Sequence, residues 1–316
     1  MNEEKRALPP EEYLEPRCPL CEEPFGVTPE AKPVPQKRII EKMDEYMGRR
    51  DYKGAERHLL YWLREARLGR DFRGEFMLLG ELVGHYRKTG ERDKAMRSAD
   101  EALALIREMD YENTISAGTM YVNIATACNA FGENERAYEL FRKARTAYEG
   151  SEFTDPALIG GLMNNMGLAC VSLKRFEEAA GYYEKALEVM KEVPGGELEQ
   201  AITYLNMASA AEEELGLLEG ESRIFALLDA AEELLRTPSV PQDGYCAFVL
   251  EKMRSRVRLF RVFPDGGGVP EQGGSHLHKV IRAGHDGSEA PASHAAENGG
   301  TAKEDPAYLR LRREDL

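Results

Sequence analysis

The sequence predicts an all-α protein: a right-handed α-solenoid of about five antiparallel helix pairs, followed by a capping helix and a disordered C-terminal tail. Two observations support this prediction. The chain of 316 residues has 16 prolines, yet none lies between Gln36 and Asp155. Proline breaks helix interiors because it lacks a backbone N–H, so this long stretch is free to be helical. A pattern of small and apolar residues also recurs in the chain every 42 residues, which is typical of repeat architectures.

The repeat is clearest in three segments that we predict to be the second helices of successive pairs, residues 90–106, 132–148 and 174–190. Each segment has an alanine anchor, a small or aromatic residue four positions later, and another alanine seven positions after the anchor. These positions lie on one face of a helix, and the small residues allow a second helix to approach closely. The stripe consists of Ala95, Ala99, Ala102, Ala137, Phe141, Ala144, Ala179, Tyr183 and Ala186.

A first helix precedes each of these segments, and one more continues the series. The predicted first helices are residues 76–88, 120–131, 162–173 and 202–215. Upstream, residues 39–68 fit the same template with Ala55 as the anchor, and downstream residues 244–263 predict the capping helix. Asp155 followed by Pro156 is typical of a helix N-terminus, with aspartate as the cap and proline at the first helical position.

The composition divides the chain into three parts. We expect an irregular N-terminal arm over residues 1–35, a helical repeat domain over 36–262, and a disordered tail over 263–316. From residue 264 onward the chain has nine glycines, four histidines and a single aromatic residue, Tyr308. Such a segment cannot bury enough apolar surface to offset the entropy lost on ordering.

The helical pattern resembles the tetratricopeptide repeat. The resemblance rests on Gly90 with Ala95 and on Gly132 with Ala137, together with the residue four positions after each alanine and the alanine three positions further on. The common form of that repeat has about 34 residues. The form with 42 residues is similar to the repeats of kinesin light chains and of bacterial proteins that carry this repeat type.

This resemblance implies a protein- or peptide-binding scaffold whose first helices line a concave groove, with no catalysis. Asn123, Asn165 and Asn206 recur at spacings of 42 and 41 residues, and each amide could donate and accept hydrogen bonds along an extended peptide. Alternatively, each asparagine bonds a neighbouring helix. Other residues expected to share the groove are Asn164, Thr126, Asn129, Tyr121, Arg87 and Lys88. With only two cations among them, a clamp for a terminal carboxylate is not expected.

The pair Cys18 and Cys21 resembles half of a zinc ribbon. A structural zinc ion needs four ligands, so a complete site requires a second chain or further ligands such as His58. The alternative is an incomplete knuckle in the arm. No other cofactor is predicted. Cys128 and Cys170 occupy equivalent repeat positions, and for these two we predict a role in core packing.

Charge and motif content exclude several function classes. The formal net charge of −14 argues against nucleic acids and anionic membranes as partners. The chain has no apolar run long enough to span a bilayer and no secretory signal pattern, so we expect a cytoplasmic protein. Phosphate loops and the common hydrolase motifs are missing, so no enzyme is predicted.

Two alternatives to a scaffold remain: a peptide-responsive bacterial regulator that changes superhelical shape, and a zinc-knuckle accessory protein. The sequence predicts neither the partner's identity nor the oligomeric state.

Overall fold

The computed structural model describes residues 32–238 and residue 240, and within this part the regular secondary structure is helical, with no strand. None of the helices described combines the length and apolar character that crossing a membrane requires. The helices are α1 (Gln36–Gly48), α2 (Tyr52–Leu68), α3 (Phe72–Thr89), α4 (Arg92–Glu108), α5 (Ile115–Ala130), α6 (Asn134–Glu149), α7 (Pro156–Ser172), α8 (Phe176–Glu192), α9 (Glu197–Glu219) and α10 (Glu221–Leu235).

These helices form five consecutive pairs, which confirms the predicted α-solenoid. The members of each pair contact one another, from α1 with α2 through to α9 with α10. Each second helix also contacts the first helix of the next pair. First helices contact first helices along the chain, α3 with α5, α5 with α7, and α7 with α9. Each pair therefore packs against the pair next to it in the chain.

The turns inside the five pairs share one feature of the backbone. One residue in each turn has a positive φ, and these residues are spaced 40, 42, 42 and 42 apart. They are Arg50, Gly90, Gly132, Lys174 and Gly216. Gly216 lies inside α9 with φ 80° and ψ 167°, so the helical path is interrupted there, at the place where the fifth pair has its turn.

The predicted small-residue stripe lies in the core. All nine of its members are at most 1% exposed. Close helix packing is visible at two glycines: a Cβ on Gly118 would lie 2.5 Å from Cε1 of Tyr148, and a Cβ on Gly167 would lie 2.5 Å from Cε1 of Tyr183. The aromatic rings of the second helices thus occupy space that the first helices leave open.

Side-chain caps determine where three first helices begin. Asp71 accepts a hydrogen bond from Gly74 N, and Thr114 accepts one from Ala117 N. The predicted cap Asp155 accepts from the backbone N–H two residues later, at 2.8 Å. Each cap satisfies a backbone donor that the first helical turn leaves without a partner.

The chain enters the solenoid across the turn between α2 and α3. Lys32 N donates to Gly69 O at 2.9 Å, and Val34 N donates to Asp71 Oδ2 at 2.8 Å. The Val34 side chain is buried. The rest of the predicted arm, the capping helix at 244–263 and the tail at 263–316 lie outside the residues that the structure describes.

Candidate peptide-binding surface

The first helices α3, α5, α7 and α9 form a continuous layer, which we call the first-helix layer. Most of the predicted groove residues lie on it and are partly accessible. They are Asn123, Thr126, Asn129, Asn164, Asn165 and Arg87, all half-buried. The layer thus carries amide, hydroxyl and cationic groups that a bound segment could contact.

Asn123 and Asn165 are the asparagines whose amides are available to a ligand. Both side chains are half-buried, both amides keep contact with solvent, and neither makes a hydrogen bond within the described part of the chain. A Cβ on Gly80 of α3 would lie 3.9 Å from Nδ2 of Asn123, so this amide lies at the seam between α3 and α5. An amide in such a position can both donate to and accept from a peptide backbone.

Asn206 has a different environment from the other two members of the predicted series. It is 2% exposed, and its Nδ2 donates to Oδ1 of Asn164 at 3.1 Å. These two residues are 42 apart, so Asn206 aligns with Asn164 rather than with Asn165. At this position the amide joins neighbouring first helices, as the alternative interpretation expects. A strict 42-residue spacing in the sequence would have revealed this alignment.

Two further predicted residues on α5 have side-chain atoms that are hydrogen-bonded or enclosed within the fold. The Thr126 hydroxyl donates to Val122 O of its own helix at 2.8 Å, which leaves the oxygen able to accept another hydrogen bond. Asn129 is half-buried near the end of α5, and its Oδ1 is enclosed without a hydrogen-bond donor among the described residues.

Tyr121 is not placed with these accessible amides. Its side chain is 3% exposed, and Nζ of Lys143 on α6 lies 5.9 Å from the centre of its ring. Burial raises the pKa of the Tyr121 hydroxyl. Tyr121 therefore faces the second helix of its own pair, where it packs in the core.

The charge at one edge of the first-helix layer reverses along the solenoid. Arg87 and Lys88, in the last turn of α3, are both half-buried and both engaged in contacts. Glu213 and Glu214 occupy the equivalent positions of α9, 126 residues later. Lys174 pairs with the first of these glutamates, and Arg223 pairs with the second at 3.2 Å. The layer thus runs from a basic end to an acidic end.

Cys128 and Cys170 are fully buried free thiols, as predicted for core residues. Burial raises their pKa values to about 11 and about 12, so neither is a thiolate at neutral pH. Nε2 of His58 lies 3.1 Å from Ile39 O, and this hydrogen bond holds the ring against α1. Cys18 and Cys21 lie outside the described residues, so zinc binding there stays a prediction.

Comparison with known proteins agrees with this geometry. Residues 158–219 match the family model of the tetratricopeptide repeat. Over 185 residues the chain is 25% identical to Protein KINESIN LIGHT CHAIN-RELATED 2 of Arabidopsis thaliana, a region that covers 57% of this chain and only 28% of that relative. The crystal structure of BtubC (BKLC) from P. vanneervenii has the same fold, with a TM-score of 0.55 at 18% identity over 76% of this chain and 85% of that chain. Residues 158–219 are thus similar to the tetratricopeptide repeat, and most of the chain shares the fold of the BtubC structure.

Proposed function

We propose that this protein is a non-catalytic scaffold that binds an extended segment of a protein or peptide across its first-helix layer. The observation that carries the proposal is the pair Asn123 and Asn165, which lie 42 residues apart with accessible amides that make no hydrogen bond within the described chain. Amides that keep contact with solvent can exchange their water partners for the donors and acceptors of a bound backbone.

The spacing of the two amides suits an extended chain. Neighbouring packed helices are about 10 Å apart, and an extended backbone advances about 3.3 Å per residue. A segment that crosses α5 and α7 would therefore meet one asparagine about every three residues. Recognition of the backbone leaves the partner's side chains to contact the rest of the layer, which favours a preference for certain sequences without strict specificity.

The charge reversal along the layer predicts the orientation of the partner. An acidic part of the segment is expected near Arg87 and Lys88, and a basic part is expected near Glu213 and Glu214. Existing contacts reduce this preference at both ends, since Arg87 and Lys88 are already engaged in contacts and Lys174 and Arg223 neutralise part of the charge of the glutamates. The contribution of such exposed pairs is modest and is screened by salt.

We extend the proposal to the setting of the protein. The net charge of −14 would repel nucleic acids and anionic membranes, which leaves proteins and peptides as partners. The free thiols Cys128 and Cys170 suit a reducing compartment such as the cytoplasm.

Selection from a displayed library of random peptides, followed by calorimetry on the full chain, tests the proposed surface. Asn123→Ala and Asn165→Ala are each expected to weaken binding of a selected peptide by about 0.5–1.5 kcal/mol, which is about 2- to 12-fold. Their melting temperatures should stay unchanged. Asn206→Ala is the matched control: it should lower the melting temperature because it removes the hydrogen bond to Asn164. Selected peptides that bind equally well to the double variant of Asn123 and Asn165 would contradict the proposal.

A further inference from the structure

The outward face of α2 has a composition that the solenoid itself does not require. Six residues lie on it, and at 3.6 residues per turn they fall within an arc of about 100°. All six are exposed: Lys53, Arg57, Leu60, Tyr61, Arg64 and Leu68. The exposed fractions of Leu60, Tyr61 and Leu68 are 44%, 56% and 50%. The opposite face of the same helix packs in the core through Ala55 and Leu59. We call the six residues the α2 patch.

The equivalent positions of the other second helices show what an uncovered outer face looks like in this chain. The positions of Leu60 and Tyr61 recur in α4, α6 and α8 after 40, 82 and 124 residues. They are occupied there by Asp100 and Glu101, by Arg142 and Lys143, and by Glu184 and Lys185. All six are charged and all are exposed. In α10 the equivalent residues are Ala226 and Leu227, and Leu227 is half-buried against the core. Two large apolar side chains that are both exposed at these positions are thus particular to α2, and exposed apolar surface of this kind marks an interaction site.

The three cations of the α2 patch add a second signal. Lys53, Arg57 and Arg64 have no acidic partner in the part of the chain that the structure describes. The nearby Arg67, by contrast, pairs with Glu75 and Glu101. On α2 these three cations lie beside the exposed apolar side chains Leu60, Tyr61 and Leu68. The α2 patch therefore suits an occupant that combines carboxylates with apolar side chains.

We infer that the N-terminal segment of this chain, residues 1–31, docks on the α2 patch. The segment has eight acidic and three basic residues. In residues 11–15, three glutamates surround Tyr13 and Leu14, which is the combination of charge and apolar surface that the patch would accept.

The point where this segment joins the solenoid brings it to the α2 patch. Lys32 N donates to Gly69 O at 2.9 Å, and Gly69 directly follows Leu68 at the end of the patch. The 17 residues of α2 are about 25 Å long. A chain of 31 residues can extend to about 100 Å. The segment therefore begins beside the patch and is long enough to run along it.

A second copy of the chain is a poorer occupant. In a symmetric dimer through α2 the same surface meets itself. Such an arrangement would place Lys53, Arg57 and Arg64 against the same three cations of the other protomer, and like charges repel when they are brought together out of water. The acidic segment of the same chain meets the patch at a high effective concentration and without this repulsion.

Zero-length carbodiimide cross-linking of the full chain, read by mass spectrometry, tests this inference. We expect Lys53 to form an amide with Glu11, Glu12 or Glu15. Mixing unlabelled protein with ¹⁵N-labelled protein identifies links within one chain, since such links never combine the two isotopes. The double variant Tyr13→Ser with Leu14→Ser should lower the yield of this link at least tenfold. Lys143, exposed at an equivalent site of α6, serves as the internal control and should give no link to residues 11–15 in either protein.

Fluorescence gives an independent readout, because Trp62 is the single tryptophan and its ring lies 5.2 Å from that of Tyr61. The double variant Tyr13→Ser with Leu14→Ser should shift the emission of Trp62 to longer wavelength and increase its quenching by acrylamide, while the melting temperature stays unchanged. The reversal Arg57→Glu with Arg64→Glu should do the same, whereas Arg142→Glu with Lys143→Glu on α6 should not. Mixed-isotope links with a dimeric mass would assign the patch to a second copy and overturn the inference. It would also be overturned if Lys53 formed no link to residues 11–15 and the emission stayed unchanged.

Discussion

Tyr148 and Tyr183 are buried phenols with different hydrogen-bonding environments. Both are 1% exposed. The hydroxyl of Tyr148 lies 2.9 Å from Oγ1 of Thr119, and the hydroxyl of Tyr183 has no hydrogen-bond partner within the described chain. Burial raises the pKa of Tyr148 to about 12 and raises the pKa of Tyr183 further. Both hydroxyls are therefore neutral at physiological pH, and they differ only in whether they are hydrogen-bonded.

Replacement of each tyrosine by phenylalanine should therefore give different results. Tyr148→Phe should lower the free energy of unfolding by about 0.5–1.5 kcal/mol because it removes a hydrogen bond. Tyr183→Phe should be neutral or stabilising by up to about 1 kcal/mol, because it removes a buried hydroxyl that has no partner. Urea unfolding of the two variants at pH 7 measures the difference. Equal losses would mean that the Tyr183 hydroxyl has a partner after all.

His85 makes stability depend on pH. It is 3% exposed, its Nδ1 has no hydrogen-bond partner among the described residues, and burial lowers its pKa below the ordinary value of 6.5. Glu56 and Glu91 partly oppose this shift, and Lys94 and Lys88 add to it. Below pH 6.5 the unfolded chain binds a proton that the folded protein does not bind. Stability contributed by the neutral ring is thus present above pH 6.5 and is lost as the pH falls toward the folded-state pKa.

His85→Ala should remove this pH dependence. In the parent protein, the His85 contribution should lower the free energy of unfolding by up to about 1 kcal/mol between pH 6.5 and 5.5. The equivalent positions of the next three first helices are Ala127, Ala169 and Ala211, so alanine is compatible with the repeat. Denaturant unfolding at the two pH values separates this effect from the loss of ring packing, because the packing loss is the same at both. An unchanged difference in the variant would assign the pH dependence to other groups.

At the scale of single elements, glycine occupies two kinds of position that can be compared, a turn inside a pair and the interior of a helix. Gly132 has φ +81° in the turn between α5 and α6, and nothing lies within 4 Å of a Cβ built on it. Gly181 lies in the interior of α8, also with open space around the Cβ position. A substitution at either site therefore changes the backbone preference without a steric clash.

Gly132→Ala should destabilise the protein by about 1–2 kcal/mol, because the left-handed conformation is higher in energy by about this amount for an L-residue. Gly181→Ala should stabilise it by about 0.5–1 kcal/mol, because alanine prefers the helix interior. Thermal and urea unfolding of both variants give the two signs. Two shifts in the same direction would show that the positive φ at residue 132 is not maintained in solution. Lys174, with φ +62°, shows that the turn accepts a residue other than glycine at this position.

The second helices could be predicted more closely than the first helices, for a physical reason. Their alanine anchors mark the buried stripe directly, and α4, α6 and α8 begin within two residues of the predicted segments. The first helices begin four to six residues earlier than the apolar pattern indicates. The N-termini of α3, α5 and α7 depend on the caps Asp71, Thr114 and Asp155. Only Asp155 is followed by a proline, which identifies this cap in the sequence.

The sequence predicts which candidate residues lie on first helices, but it does not predict the environment of each side chain. The recurring asparagines lie on first helices as the spacing predicts. The spacing cannot show that the Asn206 amide donates a hydrogen bond to Asn164, whereas the amides of Asn123 and Asn165 stay accessible. That distinction depends on the side-chain environment between neighbouring helices. Gly80, which lies beside Asn123, left no signal in the repeat pattern because the equivalent residues are Val122 and Asn164.

At the scale of the whole molecule, the apolar core is not uniform along the solenoid. One cluster of buried residues runs from Val34 to Ala169 and extends from α1 to α7. A small second cluster joins α7 to α8 and packs against Met207 and Ala210 of α9. The fifth pair has its own cluster between α9 and α10. Helix α9 contains buried polar atoms that have no partner among the described residues: Asn206 Oδ1, Ser209 Oγ and Glu213 Oε2. Such groups weaken an interface, because their lost hydration is not replaced.

The fifth pair should therefore open before the rest of the solenoid, since the stability of repeat proteins is approximately a sum of local and nearest-neighbour contributions. Amide hydrogen exchange should give α9 and α10 a lower opening free energy than α5 to α8. Ser209→Ala should reduce that difference by about 1 kcal/mol, because it removes an unpaired hydroxyl and places alanine where the preceding repeats have Ala125 and Gly167. Ala210→Ser, on the half-buried neighbouring position, is the control and should not increase protection. Equal protection from α3 through α10 would show that the solenoid opens as one cooperative unit in spite of the buried polar atoms of α9.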